Sequence, residues 1–361
     1  MNPLRRRVAS ALALLALTPR SDTAAASPYA PVLPGSRLVL PRDHGAHPGH
    51  RIEWWYITGW LEPSSAQPLG FQITFFRVRQ PAHDDNPSRF APRQLLLAHA
   101  ALSDPRHGRL RHAQRSARAG FGLAEAARED MAVHIGDWSL RRAPDSGRME
   151  AAIAAADFSL DLHFEPTQPV LLQGDDGFSR KGPDATHASH YLSWPQLAVR
   201  GRIGHAGRQR EVGGSAWLDH EWSSALMPDG AHGWDWLGIN LGDGGALMAF
   251  RMRDESGAAL WAAASLRTGG SDRRFRPEEL RFSVLRRWRS PRTGADYPVE
   301  LSVAVGERLF TLRPLMDDQE LDSQASTGAI YWEGAVTAYE NDVLAGRGYL
   351  ELTGYARRLR I

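Results

Sequence analysis

Short apolar bursts separated by Gly, Pro and Asp recur along the sequence, and they constrain its fold more than any other feature. Residues 54–61, 69–79 and 157–166 alternate apolar and polar side chains or stay apolar for only a few positions. That pattern is typical of β-strands, whereas helical periodicity is limited to a turn or two near residues 124–128 and 277–280. The sequence therefore predicts an all-β protein with many short strands.

One strand pattern occurs twice. WWYITGWL (residues 54–61) matches WDWLGINL (residues 234–241) after a shift of 180 residues. A strand ending in FRVR (residues 76–79) or FRMR (residues 250–253) follows each copy, after a shift of 174. The difference falls in the intervening turn, where length varies most easily. Because so many antiparallel strands must cover their edges, we expect two tandem β-barrels, each wide enough for one apolar ligand.

The first 26 residues have the three-part build of a secretory signal peptide. A basic start at residues 5–7 precedes an apolar run over residues 8–17 and small residues at 24–26. About ten apolar residues are too few to span a bilayer. We expect export to the periplasm or beyond, by the general or the twin-arginine route. The expected division of the remaining chain is an extended lead-in (27–46), an N-terminal barrel domain (47–225) and a C-terminal barrel domain (226–361).

Charge and cysteine content exclude several classes of function. The chain carries 43 basic and 41 acidic residues, and four arginines and one aspartate lie in residues 1–26. The rest has a net charge of about −1, which gives no support to a nucleic-acid partner. Without cysteine the chain has no disulfide, thiolate metal site or catalytic thiol. We expect no cofactor and a hydrophobic small molecule or lipid as partner, with peripheral membrane contact and oligomeric state left open.

The densest polar cluster lies in residues 213–238, where acids and histidines are interleaved with four tryptophans. On a strand, Asp219 and Glu221 would face one side and His220 and Trp222 the other. The functional interpretation is an acid and an imidazole in an aromatic cavity, where desolvation keeps a carboxyl protonated near neutral pH. The alternative is a buried polar network that joins the two domains.

Basic residues and histidines form weaker candidates. Arg180 and Lys181 lie in a turn-like loop and are expected to be solvated, although they could hold a polar head group. The tract HGAHPGH places three histidines at three-residue steps, which favours only adventitious metal binding because no carboxylates follow at fixed offsets. We therefore predict no metal site.

Two further residues are predicted to be structural. Glu53 begins the aromatic run EWWY, and we expect hydrogen bonds to satisfy its carboxylate. His99 lies in an apolar strand and is predicted to be a satisfied core histidine. Nucleophile elbows, phosphate loops and the His-Glu-x-x-His motif are absent from the sequence.

Several long segments resemble the secreted AttH-type proteins, which are related to carotenoid 1,2-hydratases of the hydroxyneurosporene synthase group. The matching segments include HPGHRIEWWYITGWLE, LLQGDDGFSRKGPDATHASHYLSWPQL, GGSAWLDHEWSSALMPDGAHGWDWLG, YWEGAV and GRGYLELTGY, between His47 and Tyr355. The resemblance implies that the fold is all-β, with two tandem lipocalin-like antiparallel β-barrel domains.

The resemblance also implies a reaction, because the hydratases add water across a carbon–carbon double bond of an isoprenoid chain. By motif, Asp235 of GWDW corresponds to their acid, and His220 and Trp222 of DHEW to their histidine and tryptophan. Tryptophan faces would stabilise a carbocation in a dry cavity. One departure is that no tyrosine lies between residues 191 and 297, although the hydratases use one near the acid. The residues expected to bind the ligand are Trp55, Tyr56, Tyr191, Trp217, Trp234 and Trp236.

Three functions follow from these patterns. The first is an exported protein that binds a long isoprenoid or acyl ligand, with hydratase-like water addition to it. The second is a non-catalytic periplasmic lipid carrier, and the third is a secreted hydrolase, for which no nucleophile constellation is present. Asp235 discriminates the first two: a catalyst needs it protonated and facing a cavity, whereas a carrier needs it paired and buried.

Overall fold

The alternating pattern of the sequence forms two curled antiparallel sheets in the computed structural model, which describes residues 27–64, 67–205 and 207–359. The prediction of an all-β protein with two lipocalin-like barrels is confirmed. The predicted signal peptide, residues 1–26, lies outside the described residues. No helix in the described part of the chain is both long enough and apolar enough to cross a membrane.

The first sheet has thirteen strands in the described chain. They are β1 (Ile52–Pro63), β2 (Leu69–Arg79), β3 (Gln94–Ser103), β4 (Arg111–Arg118), β5 (Ala124–Ala126), β6 (Ala132–Ile135), β7 (Trp138–Arg142), β8 (Met149–Ala154), β9 (Phe158–Glu165), β10 (Leu171–Leu172), β11 (Phe178–Arg180), β12 (Ala188–His205) and β13 (Arg208–Ala225). Their order is β4-β3-β2-β1-β13-β12-β9-β8-β7-β6-β5, with β10 and β11 paired to β12. Strand β6 contacts β3 and β4, so the sheet is nearly closed.

The strands of the second sheet are β14 (Gly233–Leu241), β15 (Ala246–Arg253), β16 (Ala259–Thr268), β17 (Ser271–Phe275), β18 (Leu280–Arg289), β19 (Asp296–Val305), β20 (Arg308–Pro314), β21 (Glu320–Ser323), β22 (Ala329–Glu340) and β23 (Val343–Leu352). Their order is β17-β16-β15-β14-β23-β22-β20-β19-β18, with β21 paired to β22. Short 3-10 helices occupy Arg42–His44, Pro81–His83 and Pro277–Glu279.

Strands β1 and β14, which carry the repeated pattern, have equivalent places in the two sheets. Strand β1 lies between β2 and β13, and β14 lies between β15 and β23. Trp54 pairs with Phe76, whereas Trp236 pairs with Phe250, so the two registers differ by two residues. A shift of two keeps every side chain on its original face.

Both faces of β1 and β14 are largely buried. Along β1, Trp55 and Ile57 point into the first barrel, and Tyr56 points towards the second barrel. Along β14, Leu237 fills the second barrel and Trp236 points back towards the first. The two aromatic strands therefore supply one face to a barrel core and the other to the contact between barrels.

The barrels meet closely and share hydrogen bonds. The indole Nε1 of Trp60 donates to the carbonyl oxygen of Gly348 at 3.0 Å, and Nδ2 of Asn240 donates to that of Ala216 at 2.9 Å. Gly70 of β2 lies against β22 and β23. A Cβ placed on Gly70 would lie 2.5 Å from the Cβ of Ala335 and 2.7 Å from the hydroxyl of Tyr349. Glycine is thus required here by close approach.

Replacing Gly70 tests how tightly the barrels are packed. We expect Gly70→Ala to lower the free energy of unfolding by about 1–3 kcal/mol, the usual cost of overpacking a filled site. Gly242→Ala is the control, since its Cβ would meet only a carbonyl oxygen at 3.6 Å. Urea denaturation measures both variants. Equal stability of the two would contradict the close interface.

Candidate functional site

A cavity of about 340 Å³ lies between the outer faces of the two barrels. Strands β1, β2, β3 and β13 form one side, and β14, β15, β22 and β23 form the other. Both its volume and its mostly apolar lining are typical of small-molecule sites. The aromatic part of the wall includes Trp54, Tyr56, Trp234, Trp236, Phe250 and Tyr331.

Four carboxyl side chains reach this apolar cavity. Asp219 and Glu221 come from alternate positions of β13, Glu333 from β22 and Glu351 from β23. Glu333 and Glu351 are direct cross-strand partners, so their side chains share one face. Burying a carboxyl group raises the free energy of the folded state unless the group is ion-paired, hydrogen-bonded or protonated. These four carboxyls differ in which of these stabilises them.

Three neutral donors surround Asp219. The Tyr191 hydroxyl donates to Oδ2 at 2.5 Å, and the Ser193 hydroxyl and the Trp217 indole donate to Oδ1 at 2.5 and 2.6 Å. Trp236 in turn donates to the Tyr191 hydroxyl at 2.9 Å. Burial raises the pKa of Asp219 to about 7, although the three hydrogen bonds lower it. Asp219 can therefore exchange a proton near neutral pH.

Glu221 is neutralised by a lysine. The ammonium of Lys181 lies 2.7 Å from Oε1 of Glu221, and the Ser189 hydroxyl donates to the same oxygen. Lys181 is only 3% exposed, and its Nζ lies 4.3 Å from the ring centroid of Phe250. The expectation that Lys181 is solvated is wrong, because the buried carboxylate and the aromatic faces draw its side chain inward.

Glu333 has neither an ion pair like that of Glu221 nor a set of hydrogen-bond donors like that of Asp219. It is 2% exposed, and within the described chain neither carboxyl oxygen has a hydrogen-bond partner of ordinary geometry. Burial and the charge of Glu351 hold its pKa well above the ordinary range, although the nearby hydroxyls of Tyr56 and Tyr331 lower it. This shift favours the protonated, uncharged form of Glu333.

Glu351 titrates beside Glu333. The Trp234 indole donates to its Oε2 at 3.1 Å. Burial raises the pKa of Glu351 to about 7; the Trp234 hydrogen bond lowers it, and the charges of Asp219 and Glu221 raise it further. Two carboxyls on one apolar face cannot both ionise cheaply, so the pair retains a proton.

His220 and Trp222 do not face the cavity. Their side chains point into the first barrel, opposite to Asp219 and Glu221, as strand alternation requires. The ring of His220 stacks on Trp55 with centroids 4.8 Å apart. His220 and Trp222, expected to be catalytic, and Trp55, expected to contact the ligand, therefore lie inside the first barrel and not at the cavity, because the strand phase turns Asp219 and Glu221 to the cavity instead.

Glu53 holds the polar cluster at that end of the first barrel. Its Oε1 accepts from His47 Nδ1 at 2.7 Å and from His220 Nε2 at 2.9 Å, and its Oε2 accepts from the His47 backbone N–H and from Arg77 Nε at 2.8 and 2.7 Å. Burial alone would raise the pKa of Glu53, but these hydrogen bonds and the Arg77 charge hold it well below its ordinary value. The expected structural role matches this geometry.

The same cluster contains the donor types of a metal site. Ligand atoms of His47, Glu53 and His220 lie within 4.8 Å of one another. Burial alone would lower the pKa of His47, but hydrogen bonds to Asp43 and Glu53 raise it above its usual value. Because each Glu53 oxygen already accepts two hydrogen bonds and Arg77 supplies a charge, we assign the cluster a structural role. His47 is thus held by carboxylates that sequence spacing did not reveal.

Asp235 points into the second barrel. It is fully buried, and its oxygens lie 2.7 Å from Arg251 Nε and 2.8 Å from Arg253 Nε. The hydroxyl of Tyr355 donates to Oδ1 at 3.0 Å. Asp235 therefore does not face the cavity as expected, because two guanidinium groups pair with its carboxylate inside the second barrel.

The ligand residues expected from sequence divide into two groups. Tyr56, Trp234 and Trp236 line the cavity. Tyr191 and Trp217 are buried behind it, where they donate to Asp219.

Sequence reasoning missed Trp54, Glu333 and Glu351. Both glutamates interrupt apolar strands, in YWEGAV and GYLELTGY, and an acid in a doubly buried strand is the signal that could have revealed them.

His99 joins the barrels beside the cavity. Its Nδ1 lies 2.9 Å from the Tyr331 hydroxyl and its Nε2 lies 2.8 Å from the Ser326 hydroxyl. Burial lowers the pKa of His99 to about 3, so its ring is neutral. The prediction of a satisfied core histidine is confirmed.

Replacing Asp235 tests its assignment as a structural ion pair. We expect Asp235→Asn to lower the free energy of unfolding by about 3–5 kcal/mol, since it leaves two guanidinium groups without their anion. Guanidinium denaturation measures this loss, with the exposed Asp229→Asn as a control that should stay within about 0.5 kcal/mol of wild type. Unchanged stability of Asp235→Asn would refute the structural role.

Known proteins share this architecture. An AttH-type protein from Nitrosomonas europaea has a crystal structure that matches at a TM-score of 0.85 and 51% identity, covering 90% of this chain and 99% of that one. Kievitone hydratase from Nectria haematococca matches at 0.66 and 13% identity, covering 91% and 98%. CghA bound to Sch210972 matches at 0.53 and 13%, covering 84% and 89%. These last two share the fold.

No curated protein sequence matches the chain. The sequence model of the AttH-like family matches residues 31–355. The chain therefore belongs to the AttH-like family.

Proposed function

We propose that this protein binds an elongated apolar molecule between its barrels and adds water across one of that molecule's carbon–carbon double bonds. The observation that carries the proposal is Glu333, a buried carboxyl without a hydrogen-bond partner of ordinary geometry in the described chain, on an aromatic wall beside Glu351. An acid kept neutral in a dry site is what protonation of an alkene requires. The shared fold with kievitone hydratase supports the same class of reaction.

Glu333 acts as the proton donor. Its carboxyl proton forms a new C–H bond with one alkene carbon, using the π electron pair, and the other carbon becomes a carbocation. The negative faces of Trp54 and Trp234 and the new Glu333 carboxylate stabilise that cation. The chain contains no cysteine, so no thiol lines the cavity that could react with the carbocation.

Asp219 acts as the base in the second half of the reaction. A water molecule forms a C–O bond with the carbocation, and its surplus proton passes to Asp219, which the donors around it hold in place. The product has gained one water. Glu333 is then a carboxylate and Asp219 a carboxylic acid, and proton exchange through Glu351 and solvent restores the starting state.

A non-catalytic lipid carrier is the second candidate. Asp235 is paired and buried, which is the state that a carrier requires of it. We still favour the hydratase, because Glu333 and Glu351 supply the cavity acid that Asp235 does not. Export through residues 1–26 is part of both proposals.

A hydrolase is less well supported. Ser326 and His99 form a serine–histidine contact at 2.8 Å, but the serine hydroxyl also donates to Gln114 Oε1. In the described chain, His99 Nδ1 faces the Tyr331 hydroxyl and no carboxylate. The histidine thus lacks the anion that would make it an effective base.

Replacing the acid tests the reaction. Wild type and Glu333→Gln are incubated with lipid extract from the host and examined by native mass spectrometry. We expect wild type to return a ligand heavier by one water, and Glu333→Gln to bind the same ligand while converting it roughly 100-fold or more slowly, the usual contribution of a general acid.

The exposed Glu307→Gln is the matched control and should behave as wild type. If wild type and Glu333→Gln both hold the same unmodified lipid, hydration is excluded and the carrier is favoured.

A further inference from the structure

We infer that the cavity selects its ligand by positive charge, and that it prefers an amphiphile with an ammonium head and an apolar body. The inference rests on the ligand site proposed above, but it does not depend on the hydration step.

The cavity lining carries four carboxyl side chains and two cationic ones, Lys181 and Arg51. The ammonium of Lys181 pairs with Glu221 at 2.7 Å. In the described parts of the chain, Asp219 and Glu351 form no ion pair, and they accept hydrogen bonds from neutral hydroxyl and indole groups. A cationic ligand would supply a counter-charge to the ionised forms of these two carboxyls.

The geometry fits a head group rather than a bare ion. Glu333 and Glu351 lie opposite each other on β22 and β23, with both Glu333 oxygens unpartnered and 2% of the residue exposed. The rings of Tyr56, Trp234 and Trp236 line the same cavity. Carboxylates beside aromatic faces attract ammonium groups both by charge and by cation–π interaction, and the rings exclude the water that a small metal ion retains.

Other head groups gain less from this site. A carboxylate or phosphate would meet the ionised forms of Asp219 and Glu351 in a medium of low dielectric constant, which is repulsive. A hydroxyl would accept one hydrogen bond from a protonated glutamate and gain no charge interaction. The site therefore disfavours fatty acids and phospholipids, and narrows the apolar ligands to those with neutral or positive heads.

Charge selection also couples binding to protons. A fixed cation favours the ionised form of Glu351, whose pKa is about 7 in the free protein, whereas Glu333, whose pKa is held well above its ordinary range, keeps its proton. Binding therefore releases protons from Glu351. Affinity should then increase as pH rises, until Glu351 is ionised without ligand. The other titratable groups that line or adjoin this face are Arg51, Tyr56, His99, Lys181, Asp219, Glu221, Tyr331 and Tyr349.

Three probes that share one chain length and differ only in the head group test the effect of its charge on binding. Isothermal titration calorimetry compares decyltrimethylammonium, 1-decanol and decanoate, each below its micelle concentration, in two buffers with different ionisation enthalpies. We expect the ammonium to bind about tenfold or more tightly than decanol, decanoate to bind most weakly, and only the ammonium to release protons.

Variants then locate the charge. Glu351→Gln should weaken ammonium binding severalfold and leave decanol binding unchanged, whereas Glu307→Gln should change neither. Equal affinity for ammonium and decanol in wild type would overturn charge selection while keeping an apolar site. Binding of none of the three would overturn the ligand site itself, and ammonium binding that is unchanged in Glu351→Gln would overturn the assignment of the charge to Glu351. The wild-type comparison decides the matter even where a variant fails to fold.

Discussion

Burial of carboxyl groups without matching cations is the constraint on which the rest of this structure depends. Strands β1 and β14 are covered on both faces, so acids on them cannot turn to bulk solvent. On these strands, Glu53 and Asp235 pair with guanidinium groups, which gives both a structural role. Asp219 has only neutral donors, and Glu333 has no donor of ordinary geometry within the described chain. The buried carboxyls thus differ in how many cations and hydrogen-bond donors they contact. Those with many such partners stabilise the barrels, and those with few can transfer a proton.

The packing of the two barrels creates the cavity that these carboxyls line. Each barrel fills its own interior with apolar side chains and turns one aromatic face outward, and the two outward faces enclose the cavity. Close packing at Gly70 and hydrogen bonds such as that from Trp60 to Gly348 keep the faces in register. Close contact between the barrels matters for proton transfer, because water entering the cavity would lower the pKa values of its carboxyls and would solvate a carbocation.

Much of the fold could be predicted from sequence, because period-two alternation and the repeated aromatic strand are local signals. For the DHEW motif, the sequence also predicted that Asp219 and Glu221 share one face of the strand and that His220 and Trp222 share the other. It did not predict which of the two faces points to the cavity. The phase of the strand decided the site: Asp219 faces the cavity, and His220 faces the barrel core. The partners of Asp235 come from β15 and from Tyr355, more than a hundred residues away in the last case, and no spacing rule reveals such contacts.

A neutral carboxylic acid in the cavity at neutral pH is the central claim, and infrared difference spectroscopy in D₂O tests it most directly. The account predicts that the wild-type protein absorbs in the carbonyl-stretch region of protonated carboxyl groups at neutral pD, and that Glu333→Gln removes the component due to Glu333 while the contributions of Asp219 and Glu351 remain. Absence of the band at neutral pD, or its persistence unchanged in Glu333→Gln, would show that Glu333 is not the protonated acid.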